Sequence, residues 1–343
     1  MDRTGHPTLQ DVSRHAGVST ATVSRCVNDP EKVARKTRER IERAIEELGY
    51  TPNFGGRVLA SRRSNTIGVV IPTMNNAMFA GALQAVQEVL SDSGKSMLVA
   101  TSGYDPEQEF RQIRALVGSG ADGLLLIGTD RPATTRDYLA RRAVPHVLTW
   151  CHDPASEAPT VGFDNHEAGK VIAEAAIGLG HRALGIIGGI STDNDRAAGR
   201  IEGMRAAVAE AAGGVRIVGV QETRYSLDRG DEAFDRLMAR APIPSVILCG
   251  NDVLATGAIL RARARGVRVP EDVSITGIDD HDLARVVLPA LTTVRVPQRD
   301  MGRQAAQVLL ERISGAGPVR GRELPLELVW RDSLAAPRQV PPD

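Results

Sequence analysis

Between Thr8 and Asn28 the chain gathers hydroxyl and amide side chains around one long guanidinium: Thr8, Ser19, Thr20, Thr22, Ser24, Arg25 and Asn28. Such groups bond phosphate oxygens, and an arginine can donate twice to the edge of a guanine. A second set is spread through the later chain: Asn75, Asn76, Phe79, Arg196, Arg200, Asn251, Asp252, Asp279 and Asp280. Carboxylate, amide and guanidinium groups around an aromatic platform suit a polyol, which needs bidentate hydrogen bonds and an apolar face.

The elements that would position the first set are short helices. Thr8 can cap a helix carrying Leu9, Val12 and Ala16, with Asp11 completing a capping box and Gly17 ending it. Ser19 can cap a second helix through Asn28, with Val23 and Val27 inward, before Asp29 and Pro30 break the pattern. A third helix is expected over about 34–48, with Ile41, Ala44, Ile45 and Leu48 on one face and Gly49 stopping it. Two short helices joined by a glycine turn make a helix-turn-helix, in which the first braces the second so that its N-terminal end enters the major groove. Thr20, Ala21, Thr22, Ser24 and Arg25 then face the groove, and Thr8, Ser19, Ser24 and Asn28 can bond phosphates. The spacing alone also fits a small helical bundle whose hydroxyls are caps and whose Arg25 is solvated. Residues 51–63 hold Pro52, Gly55 and Gly56 and read as a linker that is helical only when supported.

The second set needs a different scaffold. From Ser64 onward, apolar strand candidates (67–71, 97–100, 124–127, 146–149, 184–187, 246–249, 273–276) alternate with amphipathic stretches such as 77–90, 107–117, 166–179, 195–212, 228–240 and 252–265. That alternation implies parallel sheets wound by helices. There are too many strands for one compact sheet, so two doubly wound subdomains with a cleft between them are expected. Ligands of such folds sit beyond the carboxyl ends of the strands, where the second set falls. The expected division is a helix-turn-helix head (1–50), a hinge (51–63), a body (64–334) and a frayed tail (335–343). Within the body, the N-subdomain takes about 64–162 and 294–324, and the C-subdomain about 163–293 and 325–334.

Composition narrows the function classes. The 343 residues carry zero net charge, but residues 1–63 hold 12 Lys/Arg against 8 Asp/Glu and the remainder 30 against 34. A basic head on a mildly acidic body is the asymmetry expected when one end meets phosphate. Cys26, Cys151 and Cys249 lie far apart with no CxxC pair, so no disulfide framework or zinc site is readable. No apolar run approaches the roughly 18 residues of a membrane span, and no export signal is visible, so the cytoplasm, with association to the nucleoid, is the expected location. The GSGADG of residues 118–123 follows a helix and precedes a strand, the reverse of a dinucleotide fingerprint. No P-loop, HExxH or GxSxG occurs, and His281 beside Asp279 and Asp282 reads as a polar loop. No cofactor, metal or reaction is therefore assigned, and an enzyme is not expected.

The run LQDVSRHAGVSTATVSRCVN, followed by KTRERIERAIEELGYTPN, resembles the headpiece of the LacI/GalR family of transcriptional repressors. TIGVVIPTMNNAMFAG, VGFDNHEAG, LGHRALGIIGG, DRAAGRIEGM, VILCGNDVLATGAI, VSITGIDDHDLARVVLPALTTV and LPLELVWRDS then follow in family order, so the likeness spans nearly the whole chain. It implies a body similar to periplasmic sugar-binding proteins, a sugar or sugar acid as effector between the subdomains, and a homodimer on a pseudo-palindromic double-stranded DNA operator. By resemblance Thr20, Ala21 and Arg25 fall at base-contacting positions. Thr8, Ser19, Thr22, Ser24, Asn28, Thr37, Tyr50 and Asn53 fall at phosphate- or backbone-contacting ones. Leu59 falls on the hinge leucine that wedges into the minor groove; a flexible tether with Leu59 packed on the body is the other reading. Arg200, Asn251 and Asp279 match polar effector contacts, Tyr225 an aromatic that packs on the ligand, and Phe79 another cleft position; Asn75 and Arg196 lie in the same loops. The other readings are a salt bridge closing the cleft without ligand for Arg200 and Asp279, plain packing for Tyr225, and a surface pair for Arg196. If Arg196 and Arg200 both face the cleft, a sugar acid is favoured over a neutral sugar. Two departures stand out: Ala34 replaces a frequent serine, removing a helix cap, and Gly55–Gly56 weaken the hinge helix by roughly 0.8–1 kcal/mol each. The family's long tetramerising tail is not seen, so a dimer is expected; induction and corepression fit equally.

Overall fold

The computed structural model describes residues 7–51, 64–315 and 317–338. Three helices make the head: α1 (Leu9–Ala16), α2 (Thr20–Asn28) and α3 (Arg35–Leu48). The capping box forms as expected, with Asp11 N donating to Thr8 Oγ1 at 3.3 Å and Thr8 N donating to Asp11 Oδ2 at 2.9 Å. Donation from the Thr8 hydroxyl, and then from its N–H, holds the Asp11 carboxyl well below the usual carboxylate range. Gly17 and Gly49 end α1 and α3 at φ 62° and 61°, the left-handed turn that glycine adopts without a Cβ penalty. Ser19 accepts from Thr22 N at 3.2 Å, whereas Ala34 offers α3 no side-chain cap. Val12, Ala16, Val23, Cys26, Ile41, Ala44 and Tyr50 form the head's core, with Val27, Ile45 and Leu48 half-buried against it.

The body contains two six-stranded sheets. The first uses β1 (Thr66–Ile71), β2 (Ser96–Thr101), β3 (Gly123–Ile127), β4 (His146–Thr149), β5 (Thr160–Gly162) and β11 (Arg322–Glu323), in the order β11-β5-β4-β3-β1-β2. The second uses β6 (Ala183–Gly189), β7 (Arg216–Thr223), β8 (Val246–Cys249), β9 (Ser274–Asp279), β10 (Thr292–Arg295) and β12 (Glu327–Val329), in the order β12-β10-β9-β8-β6-β7. Both are doubly wound: the chain steps outward from β1 to β2, or β6 to β7, then returns past its start. The β10–β12 pair is antiparallel, while β6–β8, β8–β9 and β9–β10 are parallel. β1, β3, β8 and β9 are buried throughout, which explains their unbroken apolar runs. The GSGADG stretch is the turn from a helix ending at Gly118 into β3, as its position implied.

The chain passes between lobes three times: from β5 into α7 (Asn165–Gly178), from β10 into α12 (Gln298–Ser314), and from β11 into β12. The crossing drawn at residues 293 and 294 falls inside β10 and belongs after Arg295, because that strand pairs with β9 along its whole length. The tail likewise begins later than drawn. Ala335 O accepts from Ser274 Oγ at 3.2 Å and lies 2.8 Å from His181 Nε2, which pins that residue to the second lobe.

One packing contact sets up the site. α7 lies against α8 (Asp195–Glu210) at backbone distance. A Cβ on Gly169 would collide with the carbonyl of Arg200, and one on Gly203 with the carbonyl of His166. Two glycines that weaken each helix in isolation let the two backbones meet, and the meeting places Arg200. Gly203→Ala is therefore expected to destabilise the body by about 1–3 kcal/mol or more, the cost of overpacking a rigid core. Urea unfolding of the full chain measures it; a midpoint equal to that of the parent would contradict the contact.

Candidate functional site

On the head, Ser19, Thr20, Ala21 and Arg25 are exposed, and Thr22, Ser24 and Thr37 are half-buried. Ser19 Oγ lies 2.8 Å from Thr22 Oγ1, so both hydroxyls sit at the N-terminal tip of α2 beside its unsatisfied N–H groups. Arg25 makes no ion pair with any described residue, leaving its five donors available. Thr8 is committed to its cap. Tyr50 is 7% exposed and its ring is part of the head's core, so its structural role is packing. The Asn28 side chain, Asn53 and Leu59 lie outside the described residues.

In the body, the carboxyl ends of both sheets carry the polar groups, and several meet across the cleft. Arg200 is 3% exposed. Its Nε donates to Asn165 Oδ1 at 3.0 Å, Nη1 to Gly250 O at 2.6 Å, and Nη2 to Asp279 Oδ1 at 3.2 Å. Its guanidinium lies 5.8 Å from the Phe163 ring centroid. Asp279 holds φ at 126°, a region non-glycine residues rarely occupy and one that clusters at ligand sites. Asn251 caps α10 (Asp252–Ala264) by accepting from Leu254 N at 2.9 Å, and its Nδ2 is buried without a partner among the described residues. Below it, burial and then the Asp279 carboxylate push the Asp252 carboxyl well above the usual range. Thr293 Oγ1 and His281 N both donate to Asp252, at 2.6 and 2.8 Å. His281 stands 3.5 Å from Asp279; burial opposes its charging, but Asp279 and Asp252 raise its pKa overall. Among the described residues no cluster could hold a metal ion.

The lobes touch over this floor. Asp195 Oδ2 accepts from Thr129 N at 2.6 Å and Thr129 Oγ1 at 2.8 Å. Burial opposes ionisation of Asp195, yet Arg196 and the Thr129 bonds hold its pKa down. Arg196 donates to Asp195 Oδ1 at 2.7 Å and to Ile127 O at 3.4 Å. Tyr104 and Tyr225 meet from opposite lobes with ring centroids 5.8 Å apart and planes tilted by 41°. Phe79 packs on Trp150 at 5.1 Å. A cavity of about 490 Å³ opens between the lobes, lined by Asn75, Asn76 and Tyr104 on one side and Asn194, Arg224 and Tyr225 on the other.

The structure thus gathers Arg200, Asn251 and Asp279 into one cluster, sets Asn75 and Tyr225 on the cavity, and buries Phe79 against Trp150. Arg196 belongs elsewhere: it forms an interlobe latch and lines a crevice of only about 30 Å³. Tyr104, Trp150, Phe163, Asn165 and Asn194 escaped the sequence reading. Each directly follows or closely trails a strand's carboxyl end, so the rule that found Asn251 reaches Tyr104 and Trp150 as well. Arg200→Met should leave Asp279 buried without its cation, costing about 3–5 kcal/mol of body stability. Adding Asp279→Leu to that variant should recover much of the loss. A double variant no more stable than the single one would refute the pairing.

Residues 8–53 match the family described as bacterial regulatory proteins, lacI family, and residues 173–334 match a periplasmic binding protein-like domain. The HTH-type transcriptional regulator GntR of Pseudomonas aeruginosa is 35% identical over 336 residues, 96% of either chain. Among solved structures, the lac repressor dimer bound to operator and the anti-inducer ONPF superposes with TM-score 0.80 at 27% identity, covering 96% of this chain and all of that one. The complex of the transcriptional regulator CelR with cellobiose gives 0.67 at 31% identity, again over 96% of this chain and all of that one. With a capped helix-turn-helix, two doubly wound lobes and this match along its length, the chain belongs to the LacI family of DNA-binding transcriptional regulators.

Proposed function

We propose that this regulator binds a pseudo-palindromic operator as a homodimer, and that a neutral sugar held between the lobes alters that binding. At the DNA, Thr20, Ala21 and Arg25 read base edges, while Ser19, Thr22, Ser24 and Thr37 fix the register on phosphates. Operator recognition in the lac repressor structure, and cellobiose in the CelR complex, support both halves of the reading.

One observation carries the effector assignment. Asn76 Nδ2, Trp150 Nε1 and Asn251 Nδ2 are buried with no hydrogen-bond partner among the described residues. Native proteins rarely leave such donors bare, and a sugar hydroxyl oxygen is a suitable acceptor for each; Asn76 lines the interlobe cavity, while Trp150 and Asn251 follow the carboxyl ends of β4 and β8. The charge state follows from the pairing. Arg200 is paired with Asp279 and Arg196 with Asp195, and Arg196 lines the small crevice instead of the larger cavity, which supports a neutral effector over an anionic one. A sugar acid has one specific observation in its favour: Arg224 on the cavity wall is exposed and makes no ion pair with any described residue.

Linkage makes the effect reciprocal: effector and operator change each other's affinity by the same factor, typically worth about 1–3 kcal/mol. A thermal-shift panel of neutral sugars and sugar acids, followed by operator titration with each hit, tests the reading and gives the sign. Asn251→Ala should weaken the hit about tenfold or more, the loss of a hydrogen bond in a buried site. Binding indifferent to both Asn251→Ala and Asp279→Asn would remove the cleft from the account. On the DNA side, Arg25→Ala should cost about 1–3 kcal/mol of discrimination at one base pair per half-site while leaving non-specific affinity nearly intact. Unchanged duplex preference in a selection from random sequences would overturn that role.

A further inference from the structure

A larger cavity, about 690 Å³, lies in the first lobe among α6 (Ala133–Arg141), the turn into β4, the loop 153–158 and the end of α12. Leu139, Val144, Pro145 and Leu148 supply apolar wall, and three guanidiniums face it: Arg131, Arg136 and Arg312. Arg131 is fixed in place. It is 4% exposed, pairs with Glu109 at 2.9 Å, and donates to the carbonyls of Ile127 and Gly128. Its Nε is buried without a hydrogen-bond partner among the described residues. Arg136 donates to the Arg131 carbonyl and, like Arg312, makes no ion pair with any described residue. Arg312 is half-buried, and burial with no carboxylate to offset it pushes its pKa down. A cation drawn out of water without a counter-ion is a costly arrangement that a bound anion would relieve. His146 adds no cation of its own, since burial first, then Arg312 and Arg131, lower its pKa.

Two carboxylates limit what can enter. Asp153 accepts from Ala155 N at 2.9 Å, Glu157 is exposed, and neither pairs with the cavity's arginines. A polyphosphate would meet both; a ligand with one negative end and an apolar body can turn that end toward Arg312 and lay its body on Leu139, Val144 and Leu148. The volume lies within the usual range for small-molecule sites.

We propose that this cavity is a second ligand site, for a small monocarboxylate with an apolar body, anchored by Arg312. It is separate from the sugar reading and can fail alone. Calorimetry on the full chain, with benzoate as probe and benzamide as its uncharged counterpart, tests it. Benzoate should bind saturably and benzamide at least about tenfold more weakly, the difference expected from losing a charge-assisted hydrogen bond. Arg312→Gln should reduce benzoate affinity by a similar factor, Arg312→Lys should recover part of it, and Ala140→Phe should block the cavity sterically. Arg224→Gln, an exposed position on the wall of the interlobe cavity, should leave benzoate binding unchanged. The proposal falls if benzoate shows no saturable binding. It also falls if Arg312→Gln and Ala140→Phe leave binding intact, or if Arg224→Gln removes it and so places the probe between the lobes.

Discussion

A guanidinium taken out of water must be satisfied on every side, and the body is organised around that demand at Arg200. Its three bonding directions recruit three different parts of the chain: Asn165 from the start of α7, the Gly250 carbonyl after β8, and Asp279 at the end of β9. The Phe163 ring supplies a face beneath. None of these groups would be held in place without its own support. Asn165 also donates to the Trp150 carbonyl at 2.8 Å, tying the cluster to the first lobe. Asp279 keeps its unusual backbone because β9 is buried on both sides and paired along its length. The glycine contact between α7 and α8 brings the helix that carries Arg200 close enough to reach all three. Removing any one leaves a buried charge partly bare, a far larger loss than the net worth of the pair.

Two lobes with the same winding place their switch points, β1/β3 in one and β6/β8 in the other, on the edges that meet. Crevices at such points are where doubly wound sheets take ligands. Here the consequence is doubled, since each lobe supplies half a site. The residues that close the lobes follow β3 and β6, and the residues that would grip a sugar follow β1, β4, β8 and β9. Closure and binding are therefore served by adjacent turns of the same sheets.

Local chemistry was legible and close approach was not. Thr8, Asp11, Gly17, Ser19 and Gly49 announce their roles because a helix cap needs only a few consecutive residues. The missing cap at Ala34 is read off in the same way. Strands β1, β3, β4 and β8 show as apolar runs because they are buried on both faces. Strand β7, RIVGVQET, is only partly buried at a sheet edge, and β5 is three residues long, so neither rises above its surroundings. Gly169 and Gly203 look like weak points in helices; their purpose exists only once two helices are side by side. Arg196 and Arg200 are four apart on α8 and share a face by spacing. Both follow the strand 184–187, which is why the cleft is the expected place for them. The first turn of α8 meets Ile127 and Thr129, which capture Arg196 and Asp195 before either reaches the ligand cavity.

That capture bears on what the site can sense. Each arginine near the floor is already matched by a carboxylate: Arg200 by Asp279, Arg196 by Asp195. An incoming anion would have to compete with a partner covalently fixed at short range, and would meet the Asp279 carboxylate as it did so. A neutral polyol faces no such contest. It can take the bare amide and indole N–H groups as acceptor, offer its hydroxyls to the second oxygen of Asp279, and lay an apolar face on the tyrosine pair. Its binding then adds to the Thr129–Asp195 bonds instead of replacing them. On the reading proposed above, occupancy would favour closure through hydrogen bonding, with the ion pairs defining the shape into which the ligand fits.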